Sequence, residues 1–455
     1  MVIMQNALPG LKRFLGPVGL NERMLALVIR CVVAFVMHFG RMTAARAATA
    51  VRSEPRHRAQ VCRFMGRRLL RRLSPAAVLR AQLLRMESRL SERFFFLVDQ
   101  TLSSQQGSKT ENTFSTGNRQ RRPRKGRRYN KYKHARKTCH CFVKALLITP
   151  SGIRIPFSRS YYTREYCEAK NRPFRTQTEL AAEMIAELPL PEGAKVVVLG
   201  DTAFDAKCIR EACDKRNYTW IVPLNPERVV AGPKGKRPKV RSLINGLKAD
   251  QLVEIRLHAG KGPYVEQRRV SPWRMGSKVK PRTYYVHKRR QAVHSVGEAQ
   301  LVFSTRTKPT KNQRIEVQKI LMTNDLSLSA KQIVEWYGLR WQIELFFKEL
   351  KSTLGFHQYR FRTFDRVEGW DELIQVAFLY LEWYRARQLQ RRDLPEDKKR
   401  WWRWQRTHGL CMAIRQAAEQ ADLEEIAERL RTPTGLQRLR RLFKRAVPKE
   451  SSAAA

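Results

Sequence analysis

Apolar positions in the first 88 residues recur at helical spacing. Leu25, Val28, Ile29, Val32 and Val36 form one stripe, and Val61, Phe64 and Met65 lead into Leu69, Leu70 and Leu73 in a second. Gly40, Pro55 and Pro75 interrupt the pattern, and arginines fill the positions between. Short helices with basic outer faces suit a helix-turn-helix-like DNA-binding unit, although solvated arginines on an ordinary bundle would read the same way. At Arg93 the pattern changes. Phe94-Phe95-Phe96-Leu97-Val98 is a continuous apolar run, as a buried strand requires, and it ends in Asp99. Residues 103–137 are polar, and 119–137 hold eleven lysines and arginines in nineteen positions. Such a run predicts a solvated loop, with Tyr129 and Tyr132 as stacking surfaces if nucleic acid orders it.

Strand patterns return at 141–148 and 153–162, around a Pro150-Ser151-Gly152 hairpin turn. A helix is expected at 178–188, ended by Pro189 and Pro191. A buried strand follows at 195–199 and runs into Gly200-Asp201, then a helix at 206–216 and a strand at 218–224. This order predicts a mixed α/β layer with helices on its faces. Residues 225–314 are richer in Pro and Gly with short alternating stretches, which predicts an inserted β-rich module. The α/β pattern resumes at 317–323 and leads to a long helix at 330–354. The rest is helical and basic, with Trp401, Trp402 and Trp404 clustered. The expected units are therefore 1–88, 89–224, 225–314, 315–365 and 366–455.

Charge narrows the partners. Ninety lysines and arginines against forty acidic residues give a net charge of +50, with 42% hydrophobic residues. Enough apolar content for a core excludes a wholly disordered basic tail. The excess charge calls for a polyanion, nucleic acid first and an anionic membrane surface second. The apolar run 24–37 is shorter than a membrane span and carries Arg30, and no cleavable secretory leader is recognisable, so the cell interior is expected. Eight scattered cysteines form no disulfide framework. His134 with Cys139, His140 and Cys141 invites a zinc reading, but Cys-x-Cys is tight for structural zinc and no second ligand pair follows; strand packing is favoured.

Scarce acids make their placement informative. Asp99 and Asp201 each end an apolar strand, where a carboxylate needs compensation by a turn amide it caps or by a divalent cation. Asp205 reads as a helix N-cap. On the predicted long helix, at about 100° per residue, Tyr337, Arg340, Glu344, Lys348 and Lys351 fall within an arc of about 80°. Leu339, Ile343, Phe346, Phe347 and Leu350 fill the adjoining side, facing the sheet. Glu344 paired with Lys348 on an exposed stripe would account for the helix alone, but not for two strand-end aspartates elsewhere.

Tyr337-x2-Arg340-x3-Glu344-x6-Lys351 resembles the YREK signature of bacterial insertion-sequence DDE transposases, and Asp99, Asp201 and Glu344 stand in the order of their catalytic triad. The resemblance covers residues 93–360 well and the two helical ends loosely. It implies an RNase H-like core interrupted by a β-rich insertion, N-terminal recognition of transposon ends and C-terminal dimerisation. The chain departs from the pattern in having no Arg-Glu pair directly after Asp201. By this resemblance Asp99, Asp201 and Glu344 are the catalytic and metal-holding residues for two Mg²⁺ (or Mn²⁺) ions about 3.5–4 Å apart. Tyr337, Arg340 and Lys351 would grip phosphates beside the scissile bond, and Lys348 would either join them or be surface charge. Trp273, in the insertion, would stack on an unpaired base, a core position being equally open. The implied partners are double-stranded DNA, as inverted repeats at the element's ends and as target, and a second copy of the chain; the implied location is the bacterial cytoplasm, at the nucleoid. An inactive relative or a structural nucleic-acid-binding protein would share the charge without the chemistry.

Overall fold

Ten strands form one mixed sheet in a computed structural model that describes residues 10–37, 55–105, 110–116, 137–232, 235–257, 282–310 and 314–431, with 434 and 437. In chain order they are β1 (Phe94–Gln105), β2 (Phe114–Thr116), β3 (Lys137–Ile148), β4 (Arg154–Ser160), β5 (Val196–Leu199), β6 (Thr219–Pro223), β7 (Val253–Leu257), β8 (Arg282–Val293), β9 (Gly297–Thr305) and β10 (Lys319–Thr323). Across the sheet they run β2-β3-β1-β5-β6-β10-β9-β8-β7, with β4 also on β3. β1 lies antiparallel to β3 and parallel to β5, which is parallel to β6; all other pairings are antiparallel. The parallel centre needs cover on both faces, and the four residues of β5 are all buried. Between β3 and β4 the chain reverses through Gly152, whose φ of 79° is open to glycine at no steric cost.

The strands expected as an inserted module continue this same sheet. β10 pairs along its whole length with β9, and the exposed β7 forms the far edge. Trp273, Tyr129, Tyr132 and His134 lie outside the described residues. Cys139 and Cys141 are buried and in no disulfide, and His140 lies between Tyr359 Oη (2.8 Å) and the Glu111 carbonyl oxygen (2.9 Å). Packing accounts for all three, and among the described residues they join no gathered group of three or more His, Cys, Asp or Glu side chains.

The single helix expected at 330–354 is instead three pieces. Ala330–Gly338 and Trp341–Lys348 are α-helices, and Glu349–Thr353 is a π turn. Ser329 opens the first with a capping box to Gln332. At the joint Leu339 and Arg340 donate three residues back, to the carbonyls of Trp336 and Tyr337 (3.0 Å each), so the screw tightens. A uniform 100° step therefore fails across the joint. Tyr337 turns inward and is buried, whereas Leu339, Ile343, Phe346, Phe347 and Leu350 are buried as the pattern requires.

The long helix Phe364–Gln390 is buried over most of its length. Helices Leu11–Leu15, Glu22–Met37 and Pro55–Met65 lie on it: Phe14 against Tyr380 (5.5 Å) and Trp383 (5.3 Å), Phe35 edge-on to Trp370 (5.0 Å). Beneath it the sheet sends two buried cations upward. Lys144 pairs with Asp371, and Arg154 with Glu349 and Glu382 (2.8 and 2.6 Å). N-terminal helices, sheet and C-terminal helix thus share one apolar core. Among the described residues no helix is long and apolar enough to cross a membrane.

Candidate active site

Register brings the two aspartates together. The parallel ladder between β1 and β5 ends at the pair Leu97 and Leu199, and two residues further on in each chain come Asp99 and Asp201. Continued past the ladder, that register sets the two at the same level, and the Asp201 charge acts on the Asp99 carboxyl. Asp99 does not end its strand, as the apolar run suggested; β1 continues to Gln105 because β3 pairs with it along that whole length. β5 does stop, at Leu199. Gly200 follows, where a Cβ would stand 2.9 Å from that of Phe204, so a side chain there would push the next turn away. The Asp201 carboxylate accepts from the Ala203 amide (2.9 Å), capping the Thr202–Phe204 turn. The turn role and the place beside Asp99 hold together.

The third acid comes from above. Phe95, on the Asp99 face of β1, packs edge-on against Trp336 (5.9 Å) and so seats the helix Ala330–Gly338 over that face. Just past the joint, Arg340 donates from Nη1 to Asp99 Oδ2 (3.2 Å) and from Nη2 to Glu344 Oε1 (3.4 Å). The other Asp99 oxygen accepts from the Gln100 amide (2.7 Å). Burial pushes the Asp99 carboxyl up to about 6, and the negative charges of Asp201 and Glu344 add to it; the Gln100 amide and Arg340 oppose. Three carboxylates thus share one electrostatic neighbourhood, with one guanidinium between two of them.

Cations and a phenol surround it. Tyr337 is hydrogen-bonded to Arg340, and burial pushes its hydroxyl up to about 12. Lys351, in the π turn, is half-buried; desolvation and the nearby Lys144 hold its amine below the usual lysine range, against the pull of Glu344. Lys348 is exposed and, among the described residues, takes no part in these bonds.

Several members of the site were not legible beforehand. Lys319, the exposed first residue of β10, holds Nζ 4.9 Å from the centre of the Tyr337 ring. Trp341 is 52% exposed directly after Arg340. Lys144 stands opposite Asp99 across β1 and β3, yet reaches away to Ser158 (2.9 Å) and Asp371. A lysine within a run as apolar as 141–148 was the available signal. Asp205 corrects its expected role: Ala206 is the N-cap of Lys207–Lys215, and the Asp205 carboxylate is buried between Arg210 and Arg228. Those charges outcompete the helix amides, and they tie the segment after β6 to the loop after Asp201.

The donor set is all carboxylate oxygen, which suits a hard divalent cation such as Mg²⁺ or Mn²⁺. The mutual repulsion that raises Asp99 is also what such a charge relieves. In the arrangement described the three are not gathered into one three-ligand group, and Arg340 supplies the positive charge at Asp99 and Glu344.

Residues 95–380 match the family model described as the transposase DDE domain, a span from β1 into the long helix that takes in all three acids. No curated protein matches the chain. With more than half its length matched, the chain belongs to the transposase DDE-domain family.

Proposed function

We propose that the protein is a cut-and-paste transposase of a bacterial insertion sequence, which cleaves at terminal inverted repeats and joins the freed 3′-hydroxyls to target DNA. The observation that carries this reading is the equal level of Asp99 and Asp201 across β1 and β5, with Glu344 brought to them through Arg340. The strand order β4-β3-β1-β5-β6, three antiparallel strands followed by two parallel ones, supports an RNase H-like core. The strands β7–β9 would then be the family's insertion between the second aspartate and the glutamate, grown onto the sheet edge.

In this reading Asp99, Asp201 and Glu344 hold two Mg²⁺ (or Mn²⁺) ions. Such ions, when bound, activate a water or 3′-hydroxyl and neutralise the leaving oxygen of an in-line phosphodiester displacement. The remaining work falls to the chain. The YREK set, Tyr337, Arg340, Glu344 and Lys351, lines one rim: Arg340 and Lys351 supply charge to phosphate oxygens, and the Tyr337 hydroxyl, kept protonated by burial, donates a hydrogen bond. Arg340 already faces two carboxylates, so engaging DNA exchanges those partners for phosphates. Trp341, exposed directly after Arg340, would offer a ring on which an unpaired base can stack. The basic N-terminal helices would bind the ends, Trp273 would stack from the insertion, and two copies would pair the ends in the DNA complex, at the nucleoid.

The test uses full-length protein and a duplex carrying the repeats that flank its gene. Mg²⁺-dependent cleavage at the repeat border, lost in Asp201→Asn with binding retained, is the expected result. Equal binding without any metal-dependent nicking would overturn it in favour of a binding protein.

A further inference from the structure

Lys319 has an anomalous setting. β10 runs antiparallel to β6, with Leu321 opposite Pro223, so the start of β10 lies at the sheet edge where β5 and β6 end. That edge also carries Asp201. At it, Lys319 holds its ammonium over the Tyr337 ring, and Tyr337 in turn is hydrogen-bonded to Arg340. Among the described residues Lys319 has no carboxylate within ion-pair distance. Partial burial and the Arg340 charge hold its amine below the usual lysine range. Two cations that repel each other across a phenol, one without an acid partner, are a disfavoured arrangement until an anion enters. An aromatic face relieves only part of that cost.

We propose that Lys319 is a DNA-contacting residue: with Tyr337 and Arg340 it forms a three-point seat for one backbone phosphate of the strand entering the catalytic edge. Lys319 lies outside the YREK spacing and reaches the seat from the sheet instead of the helix. Two cations on separate elements with a hydroxyl donor between them fix a phosphate in position, where a single mobile lysine only attracts it. This rests on the DNA-cleaving reading above.

The experiment measures binding of full-length protein to the terminal-repeat duplex in the absence of divalent metal. Lys319→Ala is expected to weaken binding about tenfold and to lower the slope of log affinity against log salt by about one. Lys319→Arg should restore most of both. Lys215→Ala, removing an exposed lysine from the helix Lys207–Lys215, controls for loss of a positive charge alone. Duplexes with one neutral methylphosphonate, moved stepwise along the strand, then locate the contact. At one position the modification and Lys319→Ala should not add, because each removes the same interaction. Additive losses at every position, or a Lys319→Ala effect equal to that of Lys215→Ala, would overturn the proposal. Because no metal is present, the outcome is independent of Asp201→Asn, which tests the chemistry.

Discussion

The Asp99 carboxylate meets Arg340 at 3.2 Å, although its direct cross-strand neighbour is a lysine. Lys144 lies opposite on the same ladder but gives its charge to Asp371. Asp99 is therefore compensated from the helix that carries Glu344, through a guanidinium that can leave, and not by a lysine fixed in the core. Under the proposed function, DNA and cations entering the site would exchange with this compensation.

Asp99 should make the free protein less stable as pH rises. Its folded-state carboxyl titrates near 6 against an ordinary 3.8, so between those values the folded chain holds the proton more tightly than the unfolded chain. Below both values the carboxyl costs nothing; above about 6 the full cost is present, about 2 kcal/mol after discounting for its solvent contact. Asp99→Asn removes that dependence. Thermal denaturation in EDTA should show the variant gaining on the wild type between about pH 4 and about pH 7. A difference that stays flat across that range would refute the assignment.

Glu382 should behave with the opposite sign. Burial would raise it, but Arg154 and Arg385 outweigh burial and hold it below the ordinary 4.5. Its stabilisation is complete above that value and is lost as acid carries the pH down through the lowered one. Glu382→Gln leaves buried Arg154 short of a partner and should cost about 3–5 kcal/mol near neutrality. Urea unfolding at a series of pH values should find the gap narrowing in acid. A gap that widens there would contradict the pairing.

Much of this was readable from the residue pattern, for definite reasons. Phe94–Val98 of β1, all of β5 and most of β6 are continuous apolar runs, so their burial needs no knowledge of neighbours. The apolar face of 330–354 survived the break at Leu339 because each piece keeps its own helical period. Pairing, by contrast, is non-local. Nothing in 225–314 says that β9 continues the sheet through β10, or that Lys319 lands beside Tyr337. The extension of β1 past Asp99 was hidden because Gln100, Thr101 and Ser103 are polar; β3 holds them in the ladder. Asp205 was misread because its partner Arg228 lies beyond another strand.

Lys144 and Asp371 form a buried pair that should be costly to break from one side and cheap to replace whole. Asp371→Asn strands a lysine that is 1% exposed, and a loss of about 3–5 kcal/mol is expected in chemical denaturation. Replacing both, as Lys144→Met with Asp371→Leu, removes two desolvated charges and should recover most of that loss. If the double variant falls as far as the sum of the single ones, the pair is not a self-contained unit.

Gly369 fixes how the N-terminal helices meet the rest of the chain. It lies within Phe364–Gln390 where Pro55–Met65 crosses, and a Cβ there would sit 2.0 Å from the Met65 carbonyl oxygen. A backbone atom cannot rotate aside as a side chain would, so the two helices must separate. Away from such a crossing, Gly→Ala in a helix interior is a gain of roughly 0.5–1 kcal/mol. Here the sign should reverse: Gly369→Ala is expected to lower stability by about 3 kcal/mol through overpacking. Limited proteolysis should then cut first within the N-terminal helices, as their seat on the long helix loosens. Wild-type melting and an unchanged digestion pattern would mean that the crossing is not so close in solution.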